Sequence, residues 1–139
     1  MTEIHTGQCL CGAVKYEVRG AMDGAIGCHC GQCRRTSGHY TAGALVRRDG
    51  VTMTEDRGLK WYQSSPEARR GFCAECGSSV LWDYVAGDAM GIFLGSLDTP
   101  TGLAMTRHVF VGDKGDYYEI TDGTPQHDAY DRPPEPPTD

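Results

Sequence analysis

The seven cysteines of this 139-residue chain stand in three tight clusters, Cys9-Leu10-Cys11, Cys28-His29-Cys30-Gly31-Gln32-Cys33 and Cys73-Ala74-Glu75-Cys76, with none isolated. Thiolates at such spacings are metal ligands, and an odd total argues against a framework made only of disulfides. Structural zinc takes four protein ligands, whereas catalytic zinc commonly keeps three and leaves the fourth position to water or substrate. Seven sulfurs therefore divide most simply into a closed four and an open three. Residues i and i+2 of an extended segment point to one side, so Cys9 and Cys11 can present both sulfurs to one ion. Cys73 to Gly77 reads as a zinc knuckle whose glycine tolerates the left-handed backbone of a tight turn. Each pair supplies half a tetrahedron, which assigns Cys9, Cys11, Cys73 and Cys76 to the closed site. Cys28, Cys30 and Cys33 form the open one. Spacing alone also permits His39 or His108 to close the trio as a Cys3His site that only braces the fold. Iron-sulfur ligation usually needs four cysteines per cluster, which the trio lacks. His29, between two ligands, should point away from the metal, as a supporting or surface residue.

Gly7-Gln8-Cys9-Leu10-Cys11-Gly12-Ala13-Val14-Lys15-Tyr16, Cys28-His29-Cys30-Gly31-Gln32-Cys33-Arg34-Arg35 and Phe72-Cys73-Ala74-Glu75-Cys76-Gly77, followed by His108 to Val111 and Tyr117 to His127, resemble the glutathione-dependent formaldehyde-activating (GFA) family over about residues 5 to 127. The resemblance implies a mainly β, Mss4-like fold of short antiparallel strands with zinc knuckles. It also implies two zinc ions, a structural one on the first and third clusters and a catalytic-type one on Cys28, Cys30 and Cys33. The implied activity is that of a carbon-sulfur lyase joining formaldehyde reversibly to the thiol of glutathione, giving S-hydroxymethylglutathione. Zinc-thiolate chemistry suits that reaction, because a thiol must lose its proton to attack and zinc deprotonates a bound thiol. Polarisation of the aldehyde oxygen is the other route. Three thiolates already donate charge to the ion, which favours thiol capture. Two competing readings are a scaffold module in which both ions are structural, and a methionine sulfoxide reductase. The latter needs a free nucleophilic cysteine, and the partition leaves none.

The formal charge is -6, and it becomes -9 once seven thiolates and two dications are counted. Phosphate binding relies on excess Lys and Arg, so a nucleic-acid partner is disfavoured. Glutathione is itself anionic and needs local cations, for which Arg34 and Arg35, directly after Cys33, are the best placed in sequence. Arg47-Arg48 and Arg69-Arg70 read as pairs hydrating a sheet surface. No run approaches the roughly 18 apolar residues of a spanning helix, which argues against a membrane. Met1 to Gly12 lacks the basic and apolar pattern of a secretory signal, and free thiols suit a reducing compartment, so the cytoplasm is the expected location.

The elements that must position these sulfurs read as short strands: Ala13 to Arg19, whose apolar and charged residues alternate, then Thr41 to Arg47, Val51 to Glu55, Leu59 to Gln63, Ser79 to Asp83, Gly91 to Leu94, Thr106 to Phe110 and Tyr117 to Glu119. One or two helical turns are expected at Cys30 to Ser37, and another near Ser65 to Ala68. Residues 1–127 form one zinc-binding domain, and residues 128–139, rich in proline, form an extended tail or an arm for a partner. Ser37 and Gly38 either hold a substrate carboxylate with their amides or end the helix. His108 is either a proton carrier or a hydrogen-bonded structural residue. Trp61, Tyr62, Trp82 and Tyr84 read as core packing and not as site residues.

Overall fold

Short alternating runs punctuated by glycine turns give ten strands among the residues 3–138 that the computed structural model describes. The first two residues and the last, at the outer ends of the expected segments 1–127 and 128–139, lie outside the described residues. The strands are β1 (Ile4–Gln8), β2 (Lys15–Arg19), β3 (Ala25–Cys28), β4 (Thr41–Arg47), β5 (Val51–Glu55), β6 (Leu59–Gln63), β7 (Ala68–Cys73), β8 (Ser79–Tyr84), β9 (Ala89–Phe93) and β10 (Met105–Val109). One helix, α1 (Gly31–Ser37), follows β3. The architecture is mainly β, in two sheets: a three-stranded one in the order β1-β2-β5, and a seven-stranded one in the order β10-β3-β4-β9-β8-β7-β6. Neighbouring strands run antiparallel with one correction to the expected pattern, since β10 lies parallel to β3.

The core fills the space between the sheets. Side-chain alternation on β2 buries Tyr16 and Val18 while exposing Lys15 and Arg19. With Val14 these meet Val46, Val80, Leu81 and Ile92 from one face of the large sheet, all essentially excluded from water. Each such aliphatic side chain contributes roughly 1.5–3 kcal/mol on burial. Period-2 alternation leaves the other face of β3, β4, β9, β8 and β7 free to form something else, and it forms the cavity described below.

The arginine pairs of β4 and β7 are not simply a hydrated surface. Asp83 on β8 is 1% exposed and accepts hydrogen bonds from Arg48 Nε at 2.7 Å and Arg69 Nε at 2.9 Å. Asp83→Ala would leave two guanidiniums facing each other across an apolar gap. Both arginine side chains keep about a third of their surface in water, at 35% and 37% exposure, which softens the penalty. The expected loss is about 2 kcal/mol, read as a lower urea midpoint at unchanged slope.

Three strands escape the alternation rule: β1, largely exposed; β3, only four residues long; and β7, whose Ala68-Arg69-Arg70-Gly71 opening looks polar. The segment expected to be helical near Ser65 to Ala68 is instead a turn leading into β7, where Ser65 Oγ accepts from the Ala68 amide at 3.1 Å. Tyr117 to Glu119 is turn and loop and adds no strand; the Tyr117 and Tyr118 rings pack instead on His39 and His29. Residues 130–134 lie against this chain's own sheet. Tyr130 packs edge-on to Phe110 with ring centroids 4.6 Å apart, Asp131 pairs with Arg107 at 3.0 Å, and Pro134 is buried.

Candidate metal centres

Four sulfurs from distant segments converge where the loop after β1 meets the end of β7. Cys9 and Cys11 do not sit on an extended strand, as their spacing suggested, because β1 ends at Gln8 and the Cys9 amide turns back to the Val14 carbonyl at 3.0 Å. Two similar turns result, each with a glycine of positive φ behind its second cysteine, Gly12 at 84° and Gly77 at 82°. The Sγ atoms of Cys9, Cys11, Cys73 and Cys76 lie within 4.8 Å of one another, and no disulfide joins them. Cys9 to Cys11 measures 3.8 Å and Cys11 to Cys73 3.7 Å. A regular tetrahedron of thiolates about 2.3 Å from a zinc ion has edges of about 3.8 Å. The Val14 amide donates to Cys9 Sγ at 3.3 Å, and the Ser78 hydroxyl, 3.2 Å from Cys76 Sγ, helps bring that thiol down to about 5. These groups favour thiolate, the form that binds metal. An all-sulfur set with these edges fits zinc.

The trio is local. Cys28 ends β3, Cys30 caps α1 by accepting from the Cys33 amide at 3.3 Å, and Cys33 lies in the first turn of the helix. Their sulfurs also fall within 4.8 Å of one another, and no other His, Cys, Asp or Glu ligand atom of the described residues joins the set. Hydrogen bonds from Cys28 and then Cys30 hold Cys33 down at about 2, while its neighbours push Cys28 far above the ordinary thiol range. Three crowded thiols cannot all ionise unaided. A divalent cation is what would let them, so this donor set also fits a thiophilic metal. His39 and His108 are both engaged elsewhere, His39 Nδ1 being 3.3 Å from the Tyr117 hydroxyl and His108 lying between His29 and Asp122.

The trio opens onto a cavity of about 780 Å³. Its floor is the face of the large sheet turned away from the core, with Ile26, Thr41, Leu45, Phe93, Trp82 and Tyr84 among its lining residues. Trp82 and Tyr84 are therefore cavity residues and not core packing, and their rings stack 5.5 Å apart at 19°. Tyr130, Pro133 and Pro134 close one side. Arg70 enters from β7, 7% exposed, and its Nη2 lies 3.6 Å from Cys33 Sγ and 3.4 Å from Gln32 Oε1. Alternation along β7 sends Arg69 to Asp83 and Arg70 to the cavity. Arg34 and Arg35, on α1, do not line it. Gly38 ends the helix in a left-handed conformation, with φ 86° and its amide bonded to the Arg34 carbonyl at 2.9 Å, so that amide is committed to the cap.

On the opposite side of the Cys28–Cys30 segment runs a chain of polar side chains that sequence reasoning did not assemble. His29, fully buried, points away from the sulfurs and has Nδ1 2.5 Å from the Tyr118 hydroxyl and Nε2 2.8 Å from His108 Nδ1. His108 Nε2 lies 2.8 Å from Asp122 Oδ2. With both imidazoles neutral, every link is satisfied in one direction: Tyr118 donates to His29, His29 to His108 and His108 to Asp122. Burial first, and then the repulsion a second proton would meet beside the His108 and His39 rings, lowers His29 from 6.5 to about 4. A histidine depressed in the folded state refuses a proton that the unfolded chain accepts, so stability falls as pH drops from 6.5 towards 4. The stability gap between wild type and His29→Gln should narrow between pH 7 and pH 5, measured by urea unfolding at each pH. A constant gap would show that His29 does not titrate with folding.

Among the described residues no helix is long and apolar enough to cross a membrane. The model of the family "Glutathione-dependent formaldehyde-activating enzyme" matches residues 4–113. An uncharacterized lyase of Schizosaccharomyces pombe is 27% identical over 122 residues, spanning 86% of this chain and 88% of that protein. The crystal structure of a Rhodobacter sphaeroides protein superposes with a TM-score of 0.59 at 25% identity, covering 70% of this chain and 91% of the other.

Proposed function

This chain belongs to the glutathione-dependent formaldehyde-activating enzyme family, and from that premise we propose that it is a zinc-dependent carbon-sulfur lyase acting on a thiol-aldehyde adduct such as S-hydroxymethylglutathione. One observation carries the reading: three cysteine sulfurs meet at the wall of a large cavity, and no fourth ligand atom from the described residues joins them. In the lyase direction the C–S bond of the adduct breaks, the hydroxyl oxygen gives up its proton and becomes the carbonyl oxygen of formaldehyde, and the sulfur regains a proton. The reverse direction joins thiol and aldehyde with the same atoms.

Cys28, Cys30 and Cys33 would hold a zinc ion, which supplies acidification of a bound thiol and a place for its sulfur. Cys9, Cys11, Cys73 and Cys76 would hold a second, structural zinc. The remaining work falls to the chain. Trp82, Tyr84 and Phe93 offer apolar surface for the body of the substrate and keep water from the reacting carbon. Arg70 sets a positive charge beside three sulfurs that would otherwise carry net negative charge together. The His29 chain fixes the backbone between Cys28 and Cys30 by locking the side chain that separates them. The cytoplasm, which keeps thiols reduced, is the compartment in which this chemistry would run.

Metal counting on the purified protein should give two zinc ions per chain. Exchange spectroscopy of a glutathione and formaldehyde mixture should show interconversion accelerating in proportion to protein. Two ions without acceleration by any small thiol would instead mark a scaffold with two structural metals.

A further inference from the structure

The cavity is larger and more aromatic than a one-carbon aldehyde needs. Its volume of about 780 Å³ lies within the range of about 300–1,000 Å³ typical of pockets that enclose whole drug-sized ligands. Trp82, Tyr84, Phe93, Phe110 and Tyr130 all line it. The sheet makes room for the indole, because Gly91 stands opposite Trp82 and a Cβ there would lie 3.3 Å from Trp82 Cβ and 3.4 Å from Cε3. Phe110 is held at φ 56° and ψ 35°, a left-handed backbone that residues other than glycine rarely adopt and that persists only where the surroundings fix it. Those surroundings include the Ala129 carbonyl, 3.3 Å from the Phe110 amide, and the Tyr130 ring, edge-on with centroids 4.6 Å apart. The wall of Tyr130, Pro133 and Pro134 lies beyond the residues that the family model matches. The lining cations already have partners. Arg107 lies 3.6 Å from Asp23 and 3.0 Å from Asp131, Arg132 lies 3.2 Å from Asp131, and Arg70 faces Cys33 with Nε and Nη1 shielded from solvent. An aromatic ring gains by leaving water for such a lining, whereas a single carbon gains little.

We infer that the cavity takes an aromatic group carried on the carbon next to the substrate's sulfur. Under the lyase reading, on which this consequence rests, the aldehyde half of the adduct is an aromatic aldehyde, and formaldehyde fills little of the space. The step balances as before: the C–S bond breaks, the hydroxyl proton leaves, the hydroxyl oxygen becomes the carbonyl oxygen of the aromatic aldehyde, and the sulfur regains a proton. Trp82 and Tyr130 are then specificity-determining residues, one on the floor and one on the wall.

S-Benzylglutathione and S-methylglutathione test the cavity without any reaction, since they are the benzaldehyde and formaldehyde adducts with the hydroxyl removed and share one peptide. Calorimetry on the metal-loaded protein should show the benzyl compound binding roughly ten- to hundredfold more tightly, the gain expected from burying one phenyl group. Trp82→Ala should cut that preference by roughly fivefold, while keeping both metal ions and a native far-ultraviolet circular dichroism spectrum. If Trp82→Ala does not fold, Tyr130→Ala decides, because that side chain is 50% exposed and stands outside the core; it should lower the preference in the same direction. Equal binding of the two compounds by the wild type, no measurable binding of the benzyl compound, or an undiminished preference in the folded variants would overturn the inference. Exchange of glutathione with benzaldehyde should be accelerated over its uncatalysed rate more than exchange with formaldehyde, and the reverse order would overturn the assignment of the aldehyde. A benzyl preference with neither exchange accelerated would instead undermine the lyase reading and leave the aromatic site intact.

Discussion

Cys73→Ala should leave a chain that binds one metal ion and has no cooperative unfolding transition at 25 °C. Cys73 is fully buried at the end of β7, and its sulfur joins residues from the loop after β1, 62 positions away in sequence for Cys11. Without the tie, the small sheet β1-β2-β5 and the β7-β8 turn are held together by the apolar core and a few surface contacts, such as the Leu10 amide donating to Ser78 Oγ at 3.0 Å and Arg57 pairing with both Glu55 and Glu75. Structural zinc contributes about 10–16 kcal/mol of apparent binding energy in small metal-folded peptides, more than or comparable to the 5–15 kcal/mol net stability of an ordinary domain. The local fit is tight besides: a Cβ at Gly58 would sit 2.8 Å from Cys73 Sγ and from the Ala13 side chain, so the packing around the sulfur has little freedom to repair itself. Near-ultraviolet circular dichroism and metal counting check the expectation. A variant that keeps a sharp transition with one ion lost would show that the core alone sustains the fold.

How much of this was legible in the sequence depends on how local each signal is. β4, β5 and β6 are found at the residues where alternation and glycine punctuation place them. The grouping of sulfurs could be read from spacing, although Cys9 and Cys11 converge through a turn and not through strand alternation. The cavity was hidden for a different reason. Its aromatic floor has the same residue types and periodicity as a core strand, and only sheet pairing reveals that Trp82 and Tyr84 face away from Val80 and Leu81. Arg69 and Arg70 look alike as a charge pair, yet one step along β7 separates an ion pair with Asp83 from a place beside Cys33. His29, His108 and Asp122 span 94 positions of sequence, and it is the parallel pairing of β3 with β10 that brings the two imidazoles together. The segment from 128 onward carries no periodic signal at all, and its place against Phe110 and Arg107 follows from contacts that no pattern announces.

Cys30→Ser should behave in the opposite way to the Cys73 variant: the fold persists, one of two ions is lost, and acceleration of the glutathione-formaldehyde exchange falls by at least about a thousandfold, of the order seen when a group central to a reaction is removed. The reason lies in where the sulfur sits. Cys30 is only partly buried, it belongs to a loop and helix cap and not to the core, and serine keeps a side-chain oxygen able to accept from the Cys33 amide as Sγ now does at 3.3 Å. The cap therefore survives while the third thiolate does not. Two remaining sulfurs, Cys28 and Cys33, would hold a soft metal far less well than three. The unfolding free energy from urea titration should fall by no more than about 1 kcal/mol, in keeping with a retained N-cap. Collapse of the fold in Cys30→Ser would place the trio among the structural elements. Retention of full exchange activity after loss of its ion would remove the trio from the chemistry altogether.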